Sequence, residues 1–163
     1  MERLWAPWRL EYITQEKPDG CFLCEKPLSN DDRANYIVYR GARAFVLLNA
    51  FPYNNGHLMI APYAHLSDLD ELPREALLEM MDLCQDATRA LMLTSHPDGF
   101  NVGFNLGAAA GAGMKDHLHL HVVPRWAGDT NFMPVLADVR VVPQSLERAW
   151  EALSRAFRDI RGT

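Results

Sequence analysis

The chain of 163 residues is long enough for one domain with a single sizeable core. Its 48% apolar and 23% charged residues are typical of an ordinary globular protein, and its formal net charge of −5 argues against a surface that binds nucleic acid nonspecifically. The opening residues, MERLWAPWRL, lack the apolar core of a secretory signal, and no stretch approaches the roughly 20 apolar residues that cross a bilayer.

The cysteines of the N-terminal segment, residues 1–30, indicate a metal site. The chain has three cysteines, an odd number that does not suit a disulfide framework, so we expect a cytoplasmic protein. Cys21 and Cys24 lie in a polar loop at the spacing that supplies half of a zinc site. We expect histidines as the missing ligands, with His65 and His117 as candidates. Two unbound thiols are the alternative, because an isolated CxxC is common.

The pattern of apolar runs and turn signals predicts strands first and helices around them. Runs rich in β-branched and aromatic residues, bounded by Gly, Pro and Asn, predict the strands. These are placed at residues 36–40, 43–50, 57–61, 100–106 and 117–123, the third ending before Pro62 and the fifth at Pro124. Several strands are joined by hairpins, one long helix is inserted between them and a second helix follows the last strand. This order predicts a single domain over 1–163. Its expected class is α+β, with a mainly antiparallel five-stranded sheet.

Two helices follow from apolar residues at helical spacing. The first is predicted over 73–93, with Pro73 in its first turn, and the second over about 144–158. One stripe of each helix is expected to pack in the core. The stripes comprise Leu77, Met80, Met81, Cys84, Ala87, Thr88 and Leu91 in the first helix, and Leu146, Trp150, Leu153 and Phe157 in the second.

Three of the six histidines alternate with leucines in the sequence DHLHLHVVPRW, residues 116–126. On a strand, successive side chains point to opposite faces, so His117, His119 and His121 share one face and the leucines face the core. A helix would turn His119 away from the other two. A row of imidazoles on one face needs partners, which indicates chemistry rather than packing.

Two kinds of chemistry suit such a row. The histidines can bind a catalytic metal, since two of them at i and i+2 can share one zinc. Alternatively, one imidazole is a nucleophile while its neighbours tune it and bind anion oxygens. The Gly/Ala-rich loop at 107–116 favours the second, because backbone N–H groups without side-chain obstruction bind phosphate. The same loop can also be a plain flexible connection.

The motif His117-Leu-His119-Leu-His121-Val-Val resembles the His-φ-His-φ-His-φ-φ signature of the histidine triad (HIT) family at every position. The segments FVLLNAFPYNNGHLMIAP, GFNVGFNLG and HLHLHVVPRWAGDTNF extend the resemblance over most of the chain. The last two are most similar to the bacterial diadenosine tetraphosphate hydrolase and phosphorylase branch of the family.

The resemblance implies an α+β protomer that pairs across a sheet edge into a homodimer, and an enzyme that acts on nucleotides such as dinucleoside polyphosphates. It makes His119 the nucleophile of a covalent nucleotidyl intermediate, with His121 and His57 binding phosphate oxygens. Among the expected nucleotide contacts, Asn49 would hold the ribose and Asn105 would lie by the phosphates. The remaining expected contacts are Gly111 and Gly113 in the loop, and Trp126, which either stacks on a base or covers the dimer seam.

The resemblance also implies a structural zinc ion bound by Cys21, Cys24, His65 and His117, which would keep the other triad histidines for catalysis. Several alternatives stay open. The chain can be a nucleoside phosphoramidate hydrolase, a nucleotide-binding protein with weak catalysis, or a metalloenzyme that uses the histidine row itself. Asn49 can simply cap a strand end, and His57 can be a satisfied structural residue.

One departure from the family concerns the loop before the first triad histidine. Many relatives have Ser, Thr or Gln there, where it meets the leaving group, whereas this chain has Gly113 and Met114. The choice between water and phosphate as acceptor is therefore open.

Overall fold

The computed structural model describes residues 20–111, 114, 116–129 and 145–162, and the structural statements below concern these residues. The strands are β1 (Ile37–Arg40), β2 (Ala44–Leu48), β3 (Leu58–Pro62), β4 (Gly99–Phe104) and β5 (Leu120–Arg125). The helices are α1 (Phe22–Glu25), α2 (Arg74–Ser95) and α3 (Leu146–Arg161), with 3-10 turns at Lys26–Leu28, Leu69–Glu71 and Ala108–Ala110. In these ranges no helix has both the length and the apolarity to cross a membrane.

The strands form one antiparallel sheet in the order β1-β2-β3-β5-β4, which confirms the predicted α+β class. Strand β5 is an internal strand, with His121 opposite Met59 of β3 on one side and opposite Gly103 of β4 on the other. Strand β4 is an edge strand of the described sheet. The histidine row therefore ends inside the sheet, where both neighbouring strands hold it.

The two faces of the sheet bury different clusters because side chains alternate along each strand. One face packs against α2 and α3, and Leu118, Leu120 and Val122 belong to its core. The other face carries a smaller cluster, comprising Leu23, Ile37, Phe45, Leu47, Met59 and Ala61. The predicted orientation is confirmed, since the leucines of the triad face the helices while the histidines lie on the opposite face.

The helix stripes are mostly as predicted, with one error. Met80 and Cys84 of α2 are buried, whereas Met81 is 43% exposed because it lies about 100° around the helix from Met80. The buried arc also includes Asp86, whose carboxylate binds Arg89 and, across the helix pair, Arg161 of α3. In α3, Ser145 caps the N-terminus by accepting a hydrogen bond from the backbone N–H of Arg148.

Several predicted boundaries are corrected by the structure. Strand β3 includes Pro62 as its last residue, although it was expected to stop before it, and β5 continues one residue past Pro124, where it was expected to end. The ladder between β5 and β3 ends at Val122, so the missing N–H of Pro124 removes no bond on that side. The polar loop with the cysteines contains the helix α1, and α2 extends to Ser95. The helix α3 begins two residues later and ends three residues later than the predicted range of about 144–158.

Candidate active site and metal cluster

The triad histidines lie on the segment that enters β5. Only His121 belongs to the strand itself, and His117 and His119 precede its first residue, Leu120, which corrects the predicted strand start. The backbone there is held by the N–H of Leu118, which donates to the carbonyl oxygen of Leu66 at 2.6 Å. All three imidazoles are buried.

The ring of His119 is oriented by the main chain of its neighbour. Its Nδ1 lies 2.9 Å from the carbonyl oxygen of His117. A carbonyl oxygen only accepts hydrogen bonds, so Nδ1 carries the proton and donates it. In a neutral imidazole, Nε2 then has the lone pair. Burial lowers the pKa of His119, although its bond to the His117 carbonyl acts in the opposite direction, and this favours the neutral ring.

His121 has the opposite tautomer, which a chain of two hydrogen bonds determines. The backbone N–H of Tyr53 donates to Nδ1 of His57 at 3.1 Å. Nε2 of His57 therefore carries the proton and donates to Nδ1 of His121 at 2.9 Å. His121 in turn has its proton on Nε2, beside the ring of His119 at a centroid distance of 4.7 Å. The site thus places a lone pair and an N–H donor on adjacent imidazoles.

His57 holds the ring of His121 through the hydrogen bond to its Nδ1. It is completely buried, and its Nδ1 also lies 3.2 Å from the side-chain amide of Asn49. Both ring nitrogens are engaged by protein groups, so the expected direct contact of His57 with phosphate oxygens does not fit this arrangement. Its effect on the phosphate would be transmitted through His121.

Tyr53 is a site residue that sequence reasoning missed. Its ring stacks on His57 at 4.7 Å between centroids and lies 5.7 Å from His121. The sequence FPYNNG indicates a turn, and nothing in it distinguishes a tyrosine that packs on an imidazole from one exposed at a turn. Asn54 beside it donates to Asp129 at 2.8 Å and to the carbonyl of Pro124, which joins this turn to the end of β5.

The two asparagines expected at the nucleotide lie on opposite sides of the histidines. Asn49 follows β2, and its Oδ1 accepts a hydrogen bond from the N–H of Phe51 at 2.9 Å, as a residue that caps a strand end does. Asn105 follows β4, and its side-chain amide lies 3.4 Å from Nε2 of His121, where only the amide oxygen can accept from the Nε2–H. Asn105 thus borders the nitrogen that would meet a phosphate oxygen, while ribose binding by Asn49 stays a prediction.

The Gly/Ala loop is described as far as Gly111, and Gly113 lies outside the described residues. Gly107 and Gly111 flank a 3-10 turn at φ +78° and +82°, conformations that favour glycine. The N–H of Gly111 bonds to the carbonyl of Ala108 inside this turn, so the donor role expected for Gly111 does not fit this arrangement. Met114 packs beside the smaller core cluster.

Trp126 is anchored away from the row. Its indole N–H donates to the carbonyl of Ser95, at the end of α2, at 3.2 Å. Helix α2 packs on the face of the sheet opposite the histidines. Base stacking by Trp126 and its alternative role as a cover over the dimer seam both stay predictions.

The four predicted metal ligands converge. The ligand atoms of Cys21, Cys24, His65 and His117 all lie within 4.8 Å of one another. Nδ1 of His117 is 3.2 Å from Sγ of Cys21 and 3.4 Å from Sγ of Cys24, and Nδ1 of His65 is 3.3 Å from Sγ of Cys24. Nitrogen and sulfur ligands of a tetrahedral zinc ion, with bonds of about 2.0 and 2.3 Å, lie about 3.5 Å apart.

The protonation of the cluster also suits a metal. Nε2 of His117 lies 2.9 Å from the carbonyl oxygen of Pro62, so Nε2 carries the proton and the lone pair of Nδ1 faces the sulfurs. Burial raises the pKa of the Cys24 thiol to about 11, with Cys21 beside it acting in the same direction, so the thiolate form that binds zinc requires the charge of the ion itself. Two sulfurs and two imidazole nitrogens form a donor set that zinc prefers.

Comparison with known proteins agrees with this geometry. The model of the HIT domain matches residues 31–128. A protein of Mycobacterium tuberculosis named AP-4-A phosphorylase is 39% identical over 154 residues, which cover 90% of this chain and 79% of that protein.

Solved structures have the same fold. A zinc-bound histidine triad family protein from Mycobacterium smegmatis superimposes with a TM-score of 0.69 at 26% identity, covering 88% of this chain and 96% of that one. The diadenosine triphosphate hydrolase of Plasmodium falciparum superimposes with a TM-score of 0.62 over 82% of this chain and 80% of that one. At 18% identity, this superposition shows only that the two proteins have the same fold.

Proposed function

Since the chain belongs to the HIT domain family, we propose that it is an enzyme that cleaves dinucleoside polyphosphates through a covalent nucleotidyl intermediate on His119. One observation carries the proposal. The Nδ1–H of His119 is bonded to the carbonyl of His117, so the lone pair of this buried ring is on Nε2, and the adjacent ring of His121, 4.7 Å away between centroids, has its proton on Nε2. A nucleophile and a donor for the oxygen that gains charge are the groups that phosphoryl transfer needs.

In the first half-reaction, Nε2 of His119 attacks the α-phosphorus of the substrate. A P–N bond forms, the P–O bond to the leaving nucleotide breaks, and the Nε2–H of His121 donates to the phosphoryl oxygens. In the second half-reaction, the acceptor attacks the phosphorus and the P–N bond breaks, which returns the electron pair to His119. From diadenosine tetraphosphate, water as acceptor gives AMP and ATP, and phosphate gives ADP and ATP.

The relative named AP-4-A phosphorylase supports phosphate as the acceptor. We therefore expect phosphorolysis to exceed hydrolysis when phosphate is present.

The test offers diadenosine tetraphosphate with and without phosphate to the wild type, His119→Ala and His96→Asn. His96 is an exposed histidine with φ +46° at the end of α2, a conformation that Asn tolerates, so its variant is a matched control. We expect ADP and ATP from the wild type and the control, and no turnover from His119→Ala. Full activity in His119→Ala, or cleavage of no dinucleotide by the wild type, would overturn the proposal. Nucleotide binding without turnover would instead identify a binding protein.

We also propose that the cluster of Cys21, Cys24, His65 and His117 holds one structural zinc ion. The convergence of its ligand atoms and the zinc-bound relative from Mycobacterium smegmatis support this. The ion would join α1 to the segment before β5 and so stabilise the fold. Cysteines kept as thiolate ligands are in keeping with the predicted cytoplasmic location.

We further propose that two protomers pair through the edge strand β4. Val102 on this strand is 46% exposed and Leu106 just after it is 48% exposed, which is typical of an edge that another chain covers. Sedimentation of the wild type and of Val102→Lys tests this. We expect a dimer for the wild type and a monomer for the variant, and a wild-type monomer at micromolar concentration would contradict the pairing.

A further inference from the structure

His117 belongs to both clusters of the site through different atoms. Its ring Nδ1 faces the sulfurs of Cys21 and Cys24 at 3.2 and 3.4 Å. Its carbonyl oxygen accepts the Nδ1–H of His119 at 2.9 Å. The ring and the carbonyl of one completely buried residue therefore join the metal ligands to the nucleophile.

The backbone at this point depends on side-chain anchors. The ladder between β5 and β3 includes Leu120 but neither His117 nor His119. The described anchors of the segment are the bond from the N–H of Leu118 to Leu66, the bond from the ring of His117 to Pro62, and the contacts of that ring with the cysteines. A change in the position of the His117 ring would therefore move the carbonyl that orients His119.

We propose that the metal cluster positions the nucleophile as well as stabilising the fold, through the main chain of His117. This inference rests on the proposed roles of His119 and of the cluster. A hydrogen-bonded partner that fixes the orientation of an imidazole typically changes affinity or activity by about 10- to 100-fold when it is lost. Misplacement of a reacting group by about 1 Å has an effect of similar size.

The alternative is a cluster that only stabilises the fold. In that case loss of the metal would lower the melting temperature and leave the folded molecules unchanged in rate and in the ring geometry of His119. The two possibilities therefore differ in measurements made on folded protein well below its melting temperature.

The chain offers a matched pair of variants. His65→Ala removes a metal ligand that makes no described contact with His119. Arg40→Leu loosens the neighbouring segment without touching the cluster, because Arg40 binds Asp32 and the carbonyls of Pro27 and Ser29. Both variants are expected to destabilise the protein, and only the first is expected to lose the metal.

Each protein is examined for zinc content, melting temperature, rate of covalent nucleotide incorporation and the ¹⁵N signals of the His119 ring at one fixed pH. For His65→Ala we expect loss of zinc, a rate about 10- to 100-fold lower, and ring signals that show a mixture of the two neutral tautomers. Arg40→Leu should keep the wild-type rate and signals. A folded, zinc-free His65→Ala protein with the wild-type rate and ring signals would overturn the inference.

The two proposals fail in different ways. If the wild type forms no covalent adduct, the proposed function fails, while the ring signals still report whether the metal orients His119. If His65→Ala does not fold, Cd²⁺ exchanged into the intact wild type replaces it. The longer bonds of this larger ion would shift His117 and lower the rate, and an unchanged rate and unchanged ring signals would overturn the inference.

Discussion

The first two histidines of the row have identical side chains and different chemistry. At His117 the carbonyl of Pro62 takes the Nε2–H, so Nδ1 faces two sulfurs. At His119 the carbonyl of His117 takes the Nδ1–H, so Nε2 has the lone pair. A neutral imidazole has one donor and one acceptor. The comparison teaches that the position of a main-chain oxygen determines whether a histidine in this row suits a metal or a phosphorus atom.

The largest expected effect separates His119 from the other histidines. Because the proposed nucleophile cannot be replaced by a neighbour whose lone pair faces elsewhere, His119→Ala should lower the rate of diadenosine tetraphosphate cleavage by at least about 10³-fold. Steady-state product analysis checks this, with melting temperature as a control for folding. A loss smaller than about tenfold would mean that His119 does not differ from its neighbours in the row in the way described.

The metal end should respond to removal of a sulfur ligand. In Cys24→Ser we expect zinc to fall from stoichiometric to background and the melting temperature to fall by about 10 °C, since metal binding contributes directly to folding. Cys84→Ala is the matched control, because Cys84 is buried in the core beside the helices and should keep the zinc. Stoichiometric zinc in Cys24→Ser would contradict the assignment of the cluster.

The proton on His121 depends on His57. His57→Ala removes the donor to Nδ1 of His121, and we expect the cleavage rate to fall by about 10- to 100-fold. His57→Gln supplies an amide N–H in place of the imidazole and should restore part of that loss. Equal rates for the two variants, measured at saturating substrate, would show that His57 acts by filling space.

The smallest expected effect concerns the ring of Tyr53, which stacks on His57. An aromatic contact of this kind contributes about 0.5–1.5 kcal/mol, so Tyr53→Leu should lower the rate by roughly two- to tenfold. Tyr53→Phe keeps the ring and should stay close to the wild type. If Phe is as damaging as Leu, the hydroxyl group rather than the ring supports the site.

The sequence predicts the sheet and the alternation of the row because both depend on local pattern. The strands and the long helix follow from the periodicity of apolar residues, and Leu118 and Leu120 face the helices as expected. The rule that proline ends a strand is off by one residue at each site, since β3 includes Pro62 as its last residue and β5 runs on to Arg125. Pro124 is tolerated because β5 has lost its β3 partner by that residue.

The different roles of the three triad histidines could not be derived from their spacing in the sequence. Pro62 precedes His117 by 55 residues, and the N–H of Tyr53 acts on His121 only through His57. These contacts form when distant segments pack, so the sequence pattern treats the three imidazoles alike. The family resemblance separates them by analogy, and it gave His57 a direct contact with phosphate that the buried ring does not fit.

The most direct test of the central claim is the identity of the atom that bonds to phosphorus. Protein labelled with ¹⁵N in its histidine rings is mixed with diadenosine tetraphosphate without phosphate, quenched in alkali, and examined by ³¹P and ¹⁵N NMR. We predict a single P–N bond at Nε2 of His119. An adduct on Nδ1 or on another histidine, or turnover that proceeds with no adduct, would contradict the account.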